Sequence, residues 1–80
     1  MLLLSQFKVG QAGRIRNVGG AGALRRRLLD MGLTPRTRVE VRKIAPMGDP
    51  MELTVRGYEL TLRKEDAKKI EMESMEVKPS

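Results

Sequence analysis

Three consecutive strands are predicted by the stretch from residue 37 to residue 63, TRVEVRKIAPMGDPMELTVRGYELTLR. Apolar and polar residues alternate within it, and a period of two is typical of strands with one buried face. The alternation predicts strands at residues 37–43, 51–56 and 58–63. Ile44 breaks the phase after Val41, which predicts a bulge near Arg42 and Lys43 before the strand ends at Pro46.

The connections between these strands are short. The cluster Pro46–Pro50 is a turn, and Gly57 supplies the positive φ of a tight hairpin. The phase of the third strand places Tyr58, Leu60 and Leu62 on the buried face. This part of the chain is therefore predicted to form an antiparallel meander.

A helix is predicted before the meander, over about residues 21–31. Leu24, Leu28 and Met31 share one apolar stripe, whereas Leu29 lies about 140° from Leu24, off that stripe. Gly32 is placed to end the helix in the left-handed conformation, with Leu33 folding back on Leu28. We therefore expect Leu29 to be the helix residue whose apolar character the core does not explain.

The remaining segments complete one small domain. Residues 13–17 predict a strand with Ile15 inward, short helical turns are expected near residues 4–9 and 64–69, and Ile70–Met72 is expected to be a last strand. Five short strands and one inserted helix are most economically arranged as a closed, mainly β barrel, because closure removes exposed edges. We predict a domain over residues 1–72 and a frayed tail over 73–80.

Composition excludes most catalytic chemistry. The 80 residues contain no Cys, no His and no Trp, with one Phe and one Tyr. Thiolate metal sites, cysteine nucleophiles and the usual general base are therefore absent. The chain is not expected to be an enzyme. A glycine run at residues 19–22 precedes the helix, but it lacks the spacing and the Gly-Lys-Ser/Thr ending of a phosphate-binding loop.

Charge is unevenly distributed. Residues 1–44 carry ten basic and two acidic side chains, a net of +8, against a net of −2 over residues 45–80. Such asymmetry predicts an anionic partner surface. With two aromatic residues, base stacking is not available, so we expect no specific nucleic-acid recognition. The apolar run Met1–Leu4 is too short for a membrane span, and a cytoplasmic protein is expected.

Three motifs resemble those of the FeoA family: residues 27–35 (RLLDMGLTP), 45–50 (APMGDP) and 60–63 (LTLR), followed by Ala67 and Ile70. The resemblance covers about residues 4–72. It implies an SH3-like barrel with an added helix and a small cytosolic protein of bacterial ferrous-iron transport. It also implies a partner, the membrane protein FeoB with its cytosolic GTPase region. The family turn usually reads Pro-Gly, whereas here Arg36 follows Pro35, which favours a type I turn or a strained left-handed arginine.

Candidate sites follow from these patterns. The arginine-rich half, including Arg14, Arg16, Arg38 and Arg42, is interpreted as an electrostatic docking patch. The residues expected to contact a partner are Arg25, Arg26, Leu29, Arg36, Met47 and Tyr58. Those expected to be structural are Arg27, tied to backbone carbonyls, with Leu28, Gly32, Pro46, Gly48, Pro50, Gly57 and Leu62. No cofactor is expected; the weak metal candidates are the carboxylates Glu52, Glu59, Glu65 and Asp66.

We therefore expect a non-enzymatic accessory protein of ferrous-iron uptake that docks on the GTPase region of a FeoB-type transporter. The sequence leaves open whether the protein also self-associates weakly. The alternative is a metal-sensing or nucleic-acid-binding domain, because the same barrel occurs as a C-terminal domain of iron-dependent repressors.

Overall fold

The computed structural model describes residues 1–76, which form one sheet, two helices and two single 3-10 turns. The strands are β1 (Ala12–Val18), β2 (Arg38–Ile44), β3 (Met51–Val55), β4 (Tyr58–Leu62) and β5 (Ile70–Met75). The helices are α1 (Gly22–Asp30) and α2 (Lys64–Ala67). The 3-10 turns are Leu4–Gln6 and Pro46–Gly48. The predicted mainly β architecture with one inserted helix is confirmed.

The five strands are antiparallel and lie in the order β4-β3-β2-β1-β5. The predicted bulge is confirmed, because the β2–β3 register shifts between Val41 and Lys43. Hydrogen bonds do not close the barrel, because within residues 1–76 β4 and β5 are the two edge strands of the sheet. The edge of β5 is covered instead by the N-terminal segment, since the Met72 N–H donates to the Leu2 carbonyl at 2.7 Å.

The last strand is longer than predicted. It continues to Met75, and the Glu76 N–H donates to the Ala12 carbonyl at 2.6 Å. The boundary placed at residue 73 was therefore wrong for residues 73–76, because pairing with β1 holds a segment whose own pattern is too polar to predict a strand. The rest of the predicted tail, 77–80, lies outside the described residues.

The core is formed by the alternating residues of the strands, together with residues of the helices and the first 3-10 turn. Its largest fully buried side chains are Leu4, Ile15, Val18, Leu28, Leu33, Val39, Val41, Met51, Leu53, Val55 and Ile70, with Phe7 beside them. The predicted inward phase of β4 is only partly right. Leu62 is buried and Leu60 half-buried, but Tyr58 is 44% exposed. The beginning of this edge strand lies over the end of α1 rather than over the core.

Two arginines occupy turn positions that normally favour glycine. Arg36 has φ +73° in the turn that Thr37 closes by donating to the Thr34 carbonyl at 3.1 Å. Of the two predicted alternatives, the left-handed arginine is the one observed. Arg56 has φ +51° and precedes Gly57 at φ +84°, as a two-residue hairpin between β3 and β4 requires. Both arginine side chains are exposed.

Candidate docking surface

Helix α1 ends in a Schellman motif that sets its angle to the sheet. The Leu33 N–H donates to the Leu28 carbonyl at 3.2 Å, and the Gly32 N–H donates to the Leu29 carbonyl at 3.0 Å. Gly32 has φ +94°, and Leu28 and Leu33 are fully buried. Gly32 thus ends α1 in the left-handed conformation, with Leu33 folded back towards Leu28.

The C-terminal end of α1 is held a second time, by Tyr58. Its hydroxyl donates to the Met31 carbonyl, one of those that a helix end leaves without a partner. A Cβ added at Gly32 would collide with that hydroxyl and would lie 3.6 Å from the Tyr58 Cζ. Glycine is therefore required here for its backbone conformation and for the close approach of the tyrosine.

The three consecutive arginines of α1 have different environments. The Arg25 Nε donates to the Val18 carbonyl at 3.1 Å, and Arg27 pairs with Asp66 of α2 at 3.1 Å. The prediction that Arg27 binds backbone carbonyls was wrong, because Arg25 makes that contact. Arg26 makes no hydrogen bond or ion pair with residues 1–76. It is the member of the run whose charge stays available to a partner.

Leu29 is closer to the core than its helical position predicts. It is half-buried and packs against the core cluster, as do Leu24 and Met31. The apolar stripe of α1 is therefore wider than 60°, since Leu29 lies about 100° from the fully buried Leu28. The expectation that the fold leaves Leu29 unexplained was wrong, and only part of its surface remains free for a contact.

The loop after β2 presents an apolar tip. Met47 is 98% exposed and has φ +74°. Hydrogen bonds fix the loop on both sides, because Ala45 donates to the Pro50 carbonyl at 3.0 Å and the Asp49 carboxylate accepts from the Lys64 N–H at 3.0 Å. The methionine is therefore held in solvent by an ordered backbone.

Three adjoining depressions connect α1 to this loop. The first lies along α1 and is bordered by Arg26 and Met31. The second, between α1 and β4, shares Met31 with the first and includes Thr61. The third shares Thr61 and reaches Pro46 and Pro50. We call this surface the docking face: the outer side of α1 (Arg26, Arg27, Asp30 and Met31), Thr61 and the Pro46–Pro50 loop.

The predicted contact residues are only partly brought together. Arg26 and Met47 belong to the docking face. Tyr58 lies beside it, at the end of α1. Arg25 is anchored to β1. Arg36 lies in a separate depression, which also includes Arg14, Pro35, Thr37, Arg38 and Arg56.

The basic half is not one continuous patch, because ion pairs divide it. Arg42 pairs with Glu40 at 3.3 Å, and Arg16 pairs with Glu71 at 3.8 Å. Arg38 binds Glu76 through two hydrogen bonds, 2.6 Å from Nε and 3.0 Å from a terminal nitrogen. The hydrogen bond to Glu76, added to the charges of both carboxylates, raises the pKa of the Arg38 guanidinium despite partial desolvation.

The depression around Arg36 contains one residue that sequence reasoning did not select, Arg56, and one that it assigned only to the general basic patch, Arg14. Arg56 donates to the hydroxyls of Thr34 at 2.8 Å and Thr37 at 3.0 Å, and Arg14 donates to the Arg36 carbonyl at 3.0 Å. The sequence contained one signal for this site: an arginine follows Pro35 and another precedes Gly57, each in a turn that favours glycine. The sequence did not show that these turns meet.

The four weak metal candidates do not form one site. Glu52 and Glu59 border the same depression but share it with Arg42 and Lys43. Asp66 pairs with Arg27, and Glu65 lies near it. Within the described part of the chain, no three carboxylates come close enough to hold a metal ion. Neither helix there has the length or the apolar character that crossing a bilayer demands.

A family model described as the FeoA domain matches residues 2–74. A fusion of Fe(2+) transport protein A with the Fe(2+) transporter FeoB, from Porphyromonas gingivalis strain W83, is 39% identical over 70 residues. That match includes 88% of this chain and 8% of the fusion protein. The chain therefore spans a small fraction of the length of this relative.

Solved structures of FeoA proteins are also similar to this chain. The FeoA protein of Chlorobium tepidum is 37% identical and superposes with a TM-score of 0.82, with 89% of this chain and 68% of that one covered. The zinc complex of Stenotrophomonas maltophilia FeoA, described as a prokaryotic SH3 domain protein, has a TM-score of 0.83 over 95% of this chain and 96% of that one. At 23% identity it supports the SH3-like fold alone. The family match and the 39% identical relative together show that this chain belongs to the FeoA family.

Proposed function

We propose that this protein is a non-enzymatic accessory factor of ferrous-iron uptake that docks, on the cytosolic side, on the GTPase region of a FeoB-type transporter. One observation carries the proposal: in the Porphyromonas gingivalis relative, a segment 39% identical to this chain belongs to the same polypeptide as FeoB. Two domains joined in one chain have a high effective concentration for each other, so even a weak contact between them is populated. Separate chains need a surface that provides the contact.

The docking face has the properties that such a contact needs. Met47 offers an exposed, polarizable apolar side chain, and Arg26 offers a charge that no carboxylate of residues 1–76 neutralises. Methionine and arginine are enriched in protein interfaces, and arginine is frequent among the residues that contribute most to binding energy. Helix α1 and the loop are held by backbone hydrogen bonds, so little ordering entropy is lost on docking.

A role without catalysis agrees with the residues available. The chain contains no His and no Cys, and the carboxylates on or near the docking face are Asp30, Asp49 and Glu52, with α2's Glu65 and the ion-paired Asp66. A metal-sensing or nucleic-acid-binding role, the alternative from the sequence, would require saturable binding of Fe²⁺ or DNA by the isolated chain. The docking hypothesis requires a protein partner instead.

We expect Met47→Asp to weaken binding to the soluble GTPase region of the same organism's FeoB by about tenfold or more, because a charge replaces an apolar anchor. The free energy of unfolding should change by less than about 0.5 kcal/mol, because the side chain is 98% exposed. Isothermal titration calorimetry measures the first quantity and urea denaturation the second.

Val9→Asp is the matched control. Val9 is also an exposed apolar residue, 59% exposed, and it lies outside the docking face. The same charge there should leave the affinity within about twofold of the parent. Equal weakening by both substitutions would show a general charge effect. Unchanged binding by Met47→Asp would remove the loop from the interface.

A further inference from the structure

The depression around Arg36 has an unusual electrostatic composition. Within residues 1–76, the side chains of Arg14 and Arg56 contact only neutral oxygen atoms, and Arg36 has no hydrogen-bonding side-chain partner. None of the three lies within ion-pair distance of a carboxylate in that part of the chain. Three uncompensated positive charges therefore surround one depression of about 360 Å³.

Within residues 1–76, four other arginines are compensated by carboxylates, and the three that are not, Arg25, Arg26 and Arg63, lie outside this depression. Arg16, Arg27 and Arg42 each pair with an acidic side chain, and Arg38, at the border of the depression, pairs with two. Paired and unpaired surface charges both keep a protein soluble, so solubility does not explain why the three arginines of the depression are unpaired. Three unpaired guanidinium groups at one place create a local positive potential that attracts an anion.

Backbone conformation provides a second, independent observation. Arg36 and Arg56 are two of the three non-glycine residues with positive φ among residues 1–76. Left-handed conformations cost an arginine about 1–2 kcal/mol, and glycine would avoid that cost. Such strained residues cluster at functional sites. Here the two residues with the strained backbone, Arg36 and Arg56, both border the same depression.

The geometry favours a carboxylate over a phosphate. Phosphates are commonly held by free backbone N–H groups, but the Arg36 N–H donates to the Ile15 carbonyl at 2.6 Å and the Thr37 N–H to the Thr34 carbonyl. Guanidinium side chains remain, and because their planar fork matches carboxylates and phosphates alike, the engaged backbone N–H groups are what favours a carboxylate. Glu76 is an example of such carboxylate binding within the protein. It binds Arg38 through both carboxylate oxygens, from an extended segment at the border of the depression.

We propose that Arg14, Arg36 and Arg56 form a binding site for an acidic peptide segment of a partner protein, which places a carboxylate among the three guanidinium groups. The site is separate from the docking face. It goes beyond the proposed function, because it depends on the acidic character of the partner segment and not on the partner being FeoB.

A titration followed by NMR tests this proposal with the full-length, ¹⁵N-labelled chain. The probe is a tetraglutamate peptide with an acetylated N-terminus and an amidated C-terminus, and tetraglutamine is the neutral comparator. We expect saturable shifts of the amide signals of residues 34, 36–38 and 56–57. Binding should weaken when NaCl rises from about 0.02 M to about 0.3 M, because the Debye length falls severalfold.

Two variants and a control locate the site. Arg36→Gln and Arg36→Gly should each weaken tetraglutamate binding roughly threefold to fivefold, the range expected for one exposed ion pair. Arg36→Gly also removes the strained side chain, so loss of folding cannot explain its effect. Arg26→Gln removes another unpaired arginine, on α1, and should change the affinity by less than about 1.5-fold.

Several results would overturn the proposal. These are the absence of saturable shifts, equal binding of tetraglutamine, equal weakening by Arg26→Gln, and tighter binding of inorganic phosphate than of tetraglutamate. The last result would identify a phosphoryl ligand. Failure of FeoB binding would leave this site intact, and failure of tetraglutamate binding would leave the docking face intact.

Discussion

Replacing Gly32 by alanine is expected to lower the free energy of unfolding by about 2–3 kcal/mol. Alanine at φ +94° is strained by about 1–2 kcal/mol. Its Cβ would also displace the Tyr58 hydroxyl from the Met31 carbonyl, and a lost hydrogen bond costs about 1 kcal/mol more. Urea denaturation followed by circular dichroism measures the difference.

Two comparisons separate these causes. Gly22 has φ +58° with nothing within 4 Å of an added Cβ, so Gly22→Ala should show the backbone strain alone, about 1–2 kcal/mol. In a Tyr58→Phe background, Gly32→Ala should cost about 1 kcal/mol less than in the parent. If Gly32→Ala and Gly22→Ala were equally destabilising, the tyrosine would not hold the end of α1.

Leu28→Ala is expected to be at least as damaging, with a loss of about 3–4 kcal/mol. Leu28 is the fully buried residue of α1, and its carbonyl also accepts the Leu33 bond that ends the helix. A domain of this size is stable by about 4–12 kcal/mol, so the variant loses a large share of its stability. Denaturation midpoints in urea provide the measurement.

Leu29→Ala is the neighbouring comparison. Leu29 is half-buried, so its truncation should cost about 1–2 kcal/mol. An equal loss for the two leucines would mean that Leu29 is a full core residue with no surface left for a partner. A negligible loss for Leu28 would show that α1 does not depend on its contact with the core.

The elements specified by neighbouring residues were predictable from the sequence. The helix end at Gly32, the hairpin at Gly57 and the bulge after Val41 each depend on a few adjacent side chains. The features that were missed depend on distant segments. The extension of β5 to Met75 requires β1, and the position of Tyr58 requires the end of α1. No local pattern encodes either contact.

The same distinction applies to the candidate sites. Exposure of Met47 follows from its turn, so the exposed apolar side chain was predictable. The environments of Arg25 and Arg27 were not predictable, because a carbonyl of β1 binds Arg25 and a carboxylate of α2 binds Arg27. The arginine depression is assembled from β1 and two turns, with Arg14, Arg36 and Arg56 far apart in the chain. Only the folded sheet brings these three side chains together.

Docking on FeoB is tested most directly by titrating the ¹⁵N-labelled chain with the unlabelled, GTP-bound GTPase region of its own FeoB. We expect the amide signals of residues 26, 27, 30, 31, 47–49 and 61 to shift or broaden, because these residues belong to the docking face. Signals of residues 8–10, on the loop that bears Val9, should stay unchanged. If no signal responds at about 0.5 mM partner, a concentration that detects millimolar affinities, or if the changes avoid α1 and the loop, the proposed docking is wrong.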